Sequence, residues 1–255
     1  MKNYVLKVRY LGDKLYGFQK QANVPTVQGE IEKALSLVLR KNIRTNGAAR
    51  TDRGVNALNQ YLNFYFDRDL DTERLRRKLN SMLFNKWIFI KDFFKTDLLF
   101  HPRKDVKGKV YAYIISEKME TGMFLLPRIY FYNGKMNFNL LEQAMNSLKG
   151  THDFSNFANK DRSQPLKSTI CTIYDIGVIR RGGLNILYFY GNRFLYHMVR
   201  RLVYFLIKAG TGNVRKEFIE NPFLDETPFT RQVLPPEPLF LIDVYYNHNI
   251  RRLNE

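Results

Sequence analysis

Val5-Leu6-Lys7-Val8-Arg9-Tyr10, closed by a Gly12-Asp13 turn, is the stretch from which the fold is read. Met1 to Tyr10 alternates apolar and polar residues, the period of a strand with one face on a core. Downstream the period changes. Thr26 can cap a helix in which Val27, Ile31, Ala34, Leu35, Val38 and Leu39 recur at helical spacing, forming one apolar stripe. Gln60 to Phe66 returns to strand period, with Leu62, Phe64 and Phe66 on one face; Asp71 then caps a basic helix through Leu79 and Met82, and Trp87 to Phe94 is another strand. The expected order is strand, helix, strand, strand, helix, strand, the split βαβ pattern of ferredoxin-like domains.

Working outward, the second half reads as a looser repeat of that plan. Lys109 to Ser116 is a strand carrying Tyr111, Tyr113 and Ile115 on one face, and Leu140 to Leu148 is a short helix. Ile170 to Ile179 and Leu184 to Tyr190 are joined by Arg181-Gly182-Gly183, a hairpin signal. Phe194 to Ala209 is a helix apolar on most sides, ending at Gly210; Leu239 to Tyr246 is a last strand after the stiff Pro235-Pro236-Glu237-Pro238. The fold class expected is α+β: two ferredoxin-like halves with antiparallel sheets, residues 1–103 and 104–255, with the boundary near His101 to Gly108.

Composition narrows the function. Lys and Arg total 41 against 24 Asp and Glu, a net charge of +17. These cations are spread along the whole chain rather than held in one tail, which favours a polyanionic partner, nucleic acid ahead of a membrane surface. The longest apolar runs, such as Leu202 to Ile207, are far too short to span a bilayer. Cys171 is the only cysteine, so neither an internal disulfide nor a multi-thiolate zinc site can form. A cytoplasmic protein is expected.

The most unusual stretch is Asn46-Gly47-Ala48-Ala49-Arg50-Thr51-Asp52-Arg53-Gly54-Val55-Asn56-Ala57. Small residues let a large flat substrate approach the backbone, while the arginines flanking Asp52 keep it ionised and can grip phosphates. An Arg-Asp-Gly turn that merely reverses the chain accounts for the same residue types. Three other stretches are weaker. Asp67-Arg68-Asp69-Leu70-Asp71 has calcium-loop spacing, but Thr72 stands where glycine belongs and Lys78 where the bidentate glutamate belongs, so it reads as a helix start. His152-Asp153 reads as a capped turn, and Gly210-Thr211-Gly212 as a helix C-terminus rather than a phosphate loop.

Six segments, in order over nearly the whole chain, carry a resemblance. Ala49-Arg50-Thr51-Asp52-Arg53-Gly54-Val55-Asn56-Ala57 resembles the Gly-Arg-Thr-Asp-Ala-Gly-Val-His-Ala signature of the TruA family of tRNA pseudouridine synthases. Tyr16 to Gln21 with Thr26-Val27-Gln28 resembles its N-terminal Gly-Trp-Gln-x-Gln and Thr-Val-Gln. Phe100-His101-Pro102-Arg103 with Tyr111-Ala112-Tyr113 resembles Phe-His-Ala-Arg and Tyr-x-Tyr, and Gly150 to Phe157 resembles Gly-x-His-Asp-Phe-x-x-Phe. Asn192 to Arg200 resembles Asn-x-Phe-Leu-x-x-Met-Val-Arg, and Pro236-Glu237-Pro238-Leu239 stands where the family has Pro-x-Gly-Leu. Arg53, Asn56, Phe18 and Pro238 depart from the pattern, in place of a small residue, His, Trp and Gly.

The resemblance implies a pseudouridine synthase fold with its catalytic cleft between the two halves, and isomerisation of uridine in the anticodon stem-loop of tRNA by a homodimer. Such a reaction exchanges a C1′–N1 bond for a C1′–C5 bond with no net redox change, so neither metal nor cofactor is expected. By motif position Asp52 is the catalytic carboxylate. Arg50 would pair with it and hold the flipped nucleotide; Tyr111 would stack on the uracil and could take the C5 proton; Leu239 would line the uracil pocket. Arg200 is either a phosphate or site contact or a structural ion-pair partner. The competing expectations are a non-catalytic RNA-binding protein, which has no reason to keep Asp52 between Arg50 and Gly54, and a base methyltransferase, whose glycine-rich cofactor loop is not found.

Overall fold

The computed structural model describes residues 1–159, 168–224 and 232–246. In chain order its elements are β1 (Lys2–Tyr10), α1 (Val27–Leu39), β2 (Asn46–Gly47), β3 (Asn56–Phe66), α2 (Thr72–Leu83), β4 (Ile88–Thr96), β5 (Val106–Ser116) and α3 (Met119–Gly122). Then follow β6 (Tyr130–Phe131), α4 (Phe138–Ser147), β7 (Gly150–Asp153), β8 (Ile170–Arg181), β9 (Leu184–Gly191), α5 (Met198–Gly210), α6 (Lys216–Glu220) and β10 (Leu239–Tyr246). The class is α+β. Two compact units form: Met1–Lys107 together with the strand from Phe240 onward, and Gly108–Leu239. The last strand therefore joins the first unit, where the sequence reading had placed all of 104–255 in the second half.

In the first unit the strands lie in the order β4-β1-β3-β10. β1 runs antiparallel to β3, from Lys2↔Phe66 to Tyr10↔Ala57, and antiparallel to β4 on its other side. Both helices start where their capping residues dictate: Thr26 Oγ1 accepts from Gly29 N at 3.2 Å, and Asp71 Oδ1 accepts from Arg74 N at 2.9 Å. Val27, Ile31 and Leu35 of α1 and Leu79 and Leu83 of α2 are buried. The core continues through Tyr4, which stacks on Phe64 at 5.6 Å and meets Phe93 edge-on at 6.0 Å. Each such fully buried large side chain contributes about 1.5–3 kcal/mol.

Here the expectation of antiparallel sheets needs correcting. The second strand of the βαβ pattern is only the two-residue β2, paired Asn46↔Asn63 and Gly47↔Leu62. The start of β3 takes β10 instead, in parallel register Phe240↔Asn56 and Leu241↔Ala57. A strand that arrives after a long crossover is not bound by hairpin geometry, so it can pair in parallel. β6 also pairs in parallel with β5.

In the second unit the order is β5-β9-β8-β7, all antiparallel. β8 and β9 turn through Gly182 and Gly183, with φ of 56° and 77°, between the paired Arg181 and Leu184. Two consecutive positive φ angles are what a tight type I′ hairpin needs, and glycine supplies them without a Cβ penalty. α5 begins at Met198, four residues later than its apolar pattern suggests, because His197 sits at φ 63°. A left-handed residue cannot belong to a right-handed helix.

The weaker candidate stretches have structural roles. Asp67 pairs with Lys41, and Asp69 with Lys2 and Lys95, while Asp71 caps α2. Asp153 Oδ1 accepts from Ser155 N at 2.9 Å, capping the turn after β7. Thr211 N donates to Ile207 O at 2.9 Å, closing α5. Among the described residues no group of three or more His, Cys, Asp or Glu is placed to hold a metal ion, and no helix is long and apolar enough to cross a membrane.

Candidate active site

Asp52 lies in a loop with little regular structure, yet its backbone is fixed on nearly every side. On the strand side Ala48 N donates to Tyr61 O at 2.9 Å, and Gln60 makes a paired contact with Ala49: its Oε1 accepts from Ala49 N at 3.1 Å and its Nε2 donates to Ala49 O at 2.8 Å. Gln60 is fully buried, so an amide side chain stands in for a strand neighbour. From the N-terminal side Phe18 N donates to Thr51 O at 3.0 Å, and the hydroxyls of Tyr10 and Thr51 bond at 2.7 Å. Burial holds the Tyr10 phenol well above its ordinary pKa, so it stays protonated and can donate.

Gly12 closes the clamp. Its carbonyl accepts from Gly54 N at 3.2 Å and its N–H donates to Asn56 Oδ1 at 3.0 Å. A Cβ at this position would stand 2.2 Å from Val55 O, so the segments touch backbone to backbone. Within the loop Val55 N donates to Asp52 O at 3.2 Å, and Gly54 adopts φ 86°. Asp52 itself is half-buried, and Arg50 and Arg53 are exposed.

Three departures from the family signature have a local explanation. Arg53 lays its guanidinium over the Tyr16 ring, 4.2 Å from the centroid. Asn56 is buried and spends its side-chain oxygen on Gly12 N. Phe18 packs so closely on Gly47 that an added Cβ would lie 2.3 Å from its ring carbons. Pro238, the fourth, offers its carbonyl to Ile114 N at 3.1 Å.

The other three candidate residues belong to the second unit. Tyr111 is buried on β5, in register with Phe189 of β9, and its ring meets Phe194 edge-on at 5.2 Å. Arg200, in the first turn of α5, donates from Nε to Leu234 O at 2.5 Å. The same segment is held again by Tyr113 Oη on Pro235 O at 2.8 Å, and it ends at Leu239, which is buried and donates from N to Pro236 O at 3.0 Å. Asp52 and Arg50 thus share one loop of the first unit, and Tyr111, Arg200 and Leu239 lie in the second. Leu239 is its final residue; the next one, Phe240, is the register partner of Asn56 in the Asp52 loop's outgoing strand.

Sequence reasoning missed the residues that hold these groups. Gln60 and Asn56 carry a recognisable signal, a polar side chain at an inward strand position. Arg201 carries none: its Nη1 donates to the carbonyls of Asn156 and Ala158 at 3.2 Å each, and Nη2 bonds Asn159. Asn159 Nδ2 in turn lies 2.7 Å from His197 Nδ1, an arrangement that suits a neutral ring accepting from the amide. Burial, reinforced by the cations of Arg200 and Arg201, lowers the His197 pKa from 6.5 to about 4.

That shift has a sign. The unfolded chain binds a proton at His197 below about pH 6.5 and the folded chain only near pH 4. The stabilising contribution is therefore complete above pH 6.5 and is lost as pH falls through the window towards 4. His197→Asn keeps a side chain tolerant of positive φ and an acceptor for Asn159, but cannot titrate. Thermal melts from pH 7 to 4 should show a smaller loss of Tm in this variant than in wild type; parallel curves would contradict the assignment.

Comparison with known proteins agrees with the motifs. The profile of the tRNA pseudouridine synthase family matches residues 7–103 and 144–247. The tRNA pseudouridine synthase A of Acetivibrio thermocellus is 35% identical over 249 residues, covering 96% of this chain and 100% of that protein. The tRNA pseudouridine synthase A of Mycoplasmoides gallisepticum is 34% identical over 249 residues (96% and 91%), and that of Thermotoga maritima 34% over 213 residues (82% and 85%). With a matched loop around Asp52 and relatives aligned over nearly their full length, the chain belongs to the tRNA pseudouridine synthase family.

Proposed function

We propose that this protein isomerises uridine to pseudouridine in the anticodon stem-loop of tRNA, with Asp52 as the catalytic carboxylate. The observation that carries the reading is the Asp52 loop itself. A half-buried carboxylate rides on a backbone clamped from two directions, next to an exposed arginine, in a chain of net charge +17. Rigid placement of a charge where opposite charge develops is the main resource available to such a site.

The chemistry follows from the product. The C1′–N1 bond breaks, the uracil turns over, a C1′–C5 bond forms, and the C5 proton is lost while N1 gains one. Bond cleavage leaves positive charge on the ribose, and Asp52 stabilises that charge or bonds to it. Arg50 holds the extruded nucleotide by its phosphate. Tyr111, whose ring meets Phe194 edge-on, stacks on the uracil and takes the C5 proton in this reading. Leu239 lines the uracil pocket, and Arg200 fixes the segment leading to it through Leu234 while adding positive charge for the RNA. The working partners are tRNA and a second copy of the chain. No metal or cofactor takes part in these steps.

The test is incubation of purified protein with unmodified tRNA transcripts, followed by mapping of pseudouridine. Product in the anticodon stem-loop is expected, and failure with every transcript would overturn the reading. Affinity is expected to fall steeply with salt, because each phosphate contacted releases counterions, so with about four or more contacts a plot of log K against log salt should slope at about −3 or steeper. Salt-independent binding would contradict a basic surface as the RNA platform.

A further inference from the structure

The first unit holds an apolar recess that the proposed chemistry does not use. Arg9, Leu58, Phe84, Trp87 and Phe89 line a cavity of about 350 Å³. Its aromatic rings are unusually open to solvent: Phe84 is 72% exposed, Trp87 52% and Phe89 39%. Contiguous exposed apolar surface of this kind marks an interaction site more often than chance packing.

The backbone that carries the rings is held in place. Trp87 adopts φ 59°, a left-handed conformation that is costly for a bulky residue, and is fixed there by two bonds: its N–H donates to Phe84 O at 3.0 Å and its carbonyl accepts from Leu11 N at 3.1 Å. Phe89 stands in register with Arg9 across β1 and β4. The lining contains the cation of Arg9 and no carboxylate. Leu11, also on the wall, is followed by Gly12, the residue that clamps the Asp52 loop.

We propose that this recess takes one unstacked base of the RNA, from a nucleotide other than the one isomerised. The inference rests on the reading that the substrate is tRNA. Open aromatic faces bind any base by stacking, and an arginine beside them meets the phosphate or stacks in turn. The volume suits a single small aromatic ligand. An apolar side chain from a second protein copy would meet the rings but not the Arg9 cation, whereas an RNA strand carries a phosphate beside every base.

Trp87 is the only tryptophan in the chain, so emission excited at the red edge, where the 16 tyrosines do not absorb, reports this recess. Titrating the full-length protein with an unmodified tRNA transcript is expected to quench Trp87 emission in a saturable way. Phe84→Ala combined with Phe89→Ala, at exposed positions, is expected to weaken tRNA binding by about 5- to 50-fold and to raise KM by a similar factor, with kcat within about twofold. Full-affinity binding with unchanged emission, or a double variant that binds like wild type, would overturn the proposal. So would emission that shifts on diluting the protein alone, the mark of a second copy in the recess. Because binding and emission need no turnover, these results separate this proposal from the pseudouridine assay, which tests Asp52.

Discussion

Asp52→Asn is expected to lower the rate of pseudouridine formation by about 10³-fold or more while leaving tRNA binding within a few-fold of wild type. The amide matches the carboxylate in shape, and the loop that carries it is held by backbone contacts that the substitution does not touch: Thr51 O to Phe18 N, Gly54 N to Gly12 O, and Ala49 to Gln60. What the variant removes is the negative charge. Asp52→Glu restores that charge but displaces it by one methylene, and a misplacement of about 1 Å can cost about 10²-fold. Glutamate should therefore fall between aspartate and asparagine. Full activity in Asp52→Asn would remove Asp52 from the chemistry; loss of RNA binding would mean that the residue shapes the loop instead.

The second large effect is expected at Gly12. An alanine methyl group there meets Val55 O at 2.2 Å and the Gly54 carbonyl carbon at 2.7 Å, and neither is the end of a flexible side chain. One of two backbone segments must move. The displacement costs about 1–3 kcal/mol of stability and weakens the bonds from Gly54 N and to Asn56 Oδ1. Either movement loosens the contact that holds Gly54 and Val55, two and three residues after Asp52, so Gly12→Ala should lower kcat by about 10²-fold as well as lowering Tm. Gly182→Ala is the comparison without a clash: nothing lies within 4 Å of its added Cβ, and its φ of 56° makes alanine costly for stability, but it should not touch kcat. Equal kcat losses in the two variants would show that the Gly12 contact does not position the loop.

The sequence made the elements legible wherever a local signal sets them. Thr26 and Asp71 start α1 and α2, Gly182-Gly183 turns the hairpin, and Leu239–Tyr246 is the last strand. The α+β class and the family followed from these together with the motifs. Long-range pairing was not legible. Nothing in Leu239 to Tyr246 says that it lies parallel to β3, because strand period carries no partner information. The start of α5 was misread for a related reason: Phe194 and Leu195 are apolar and fit the helical stripe, but His197 takes a left-handed conformation fixed by contacts from Asn159, far away in sequence. At the candidate site the proposed reactive groups come from motifs, and the contacts that hold them do not. Gly12 does its work through backbone atoms, which a residue pattern does not reveal, and Gln60 bonds its side-chain amide to the Ala49 backbone, a partner that strand period does not name.

In the proposed reaction a charged oxygen pair at position 52 drives the exchange of the C1′–N1 bond for a C1′–C5 bond. The most direct measurement is tritium release from tRNA labelled at uracil C5, under single-turnover conditions with protein in excess so that all the RNA is bound. Wild type should release label into water at a rate that tracks pseudouridine formation, and Asp52→Asn, equally saturated with RNA, should release essentially none on the same time scale. Release by Asp52→Asn at the wild-type rate would contradict the account.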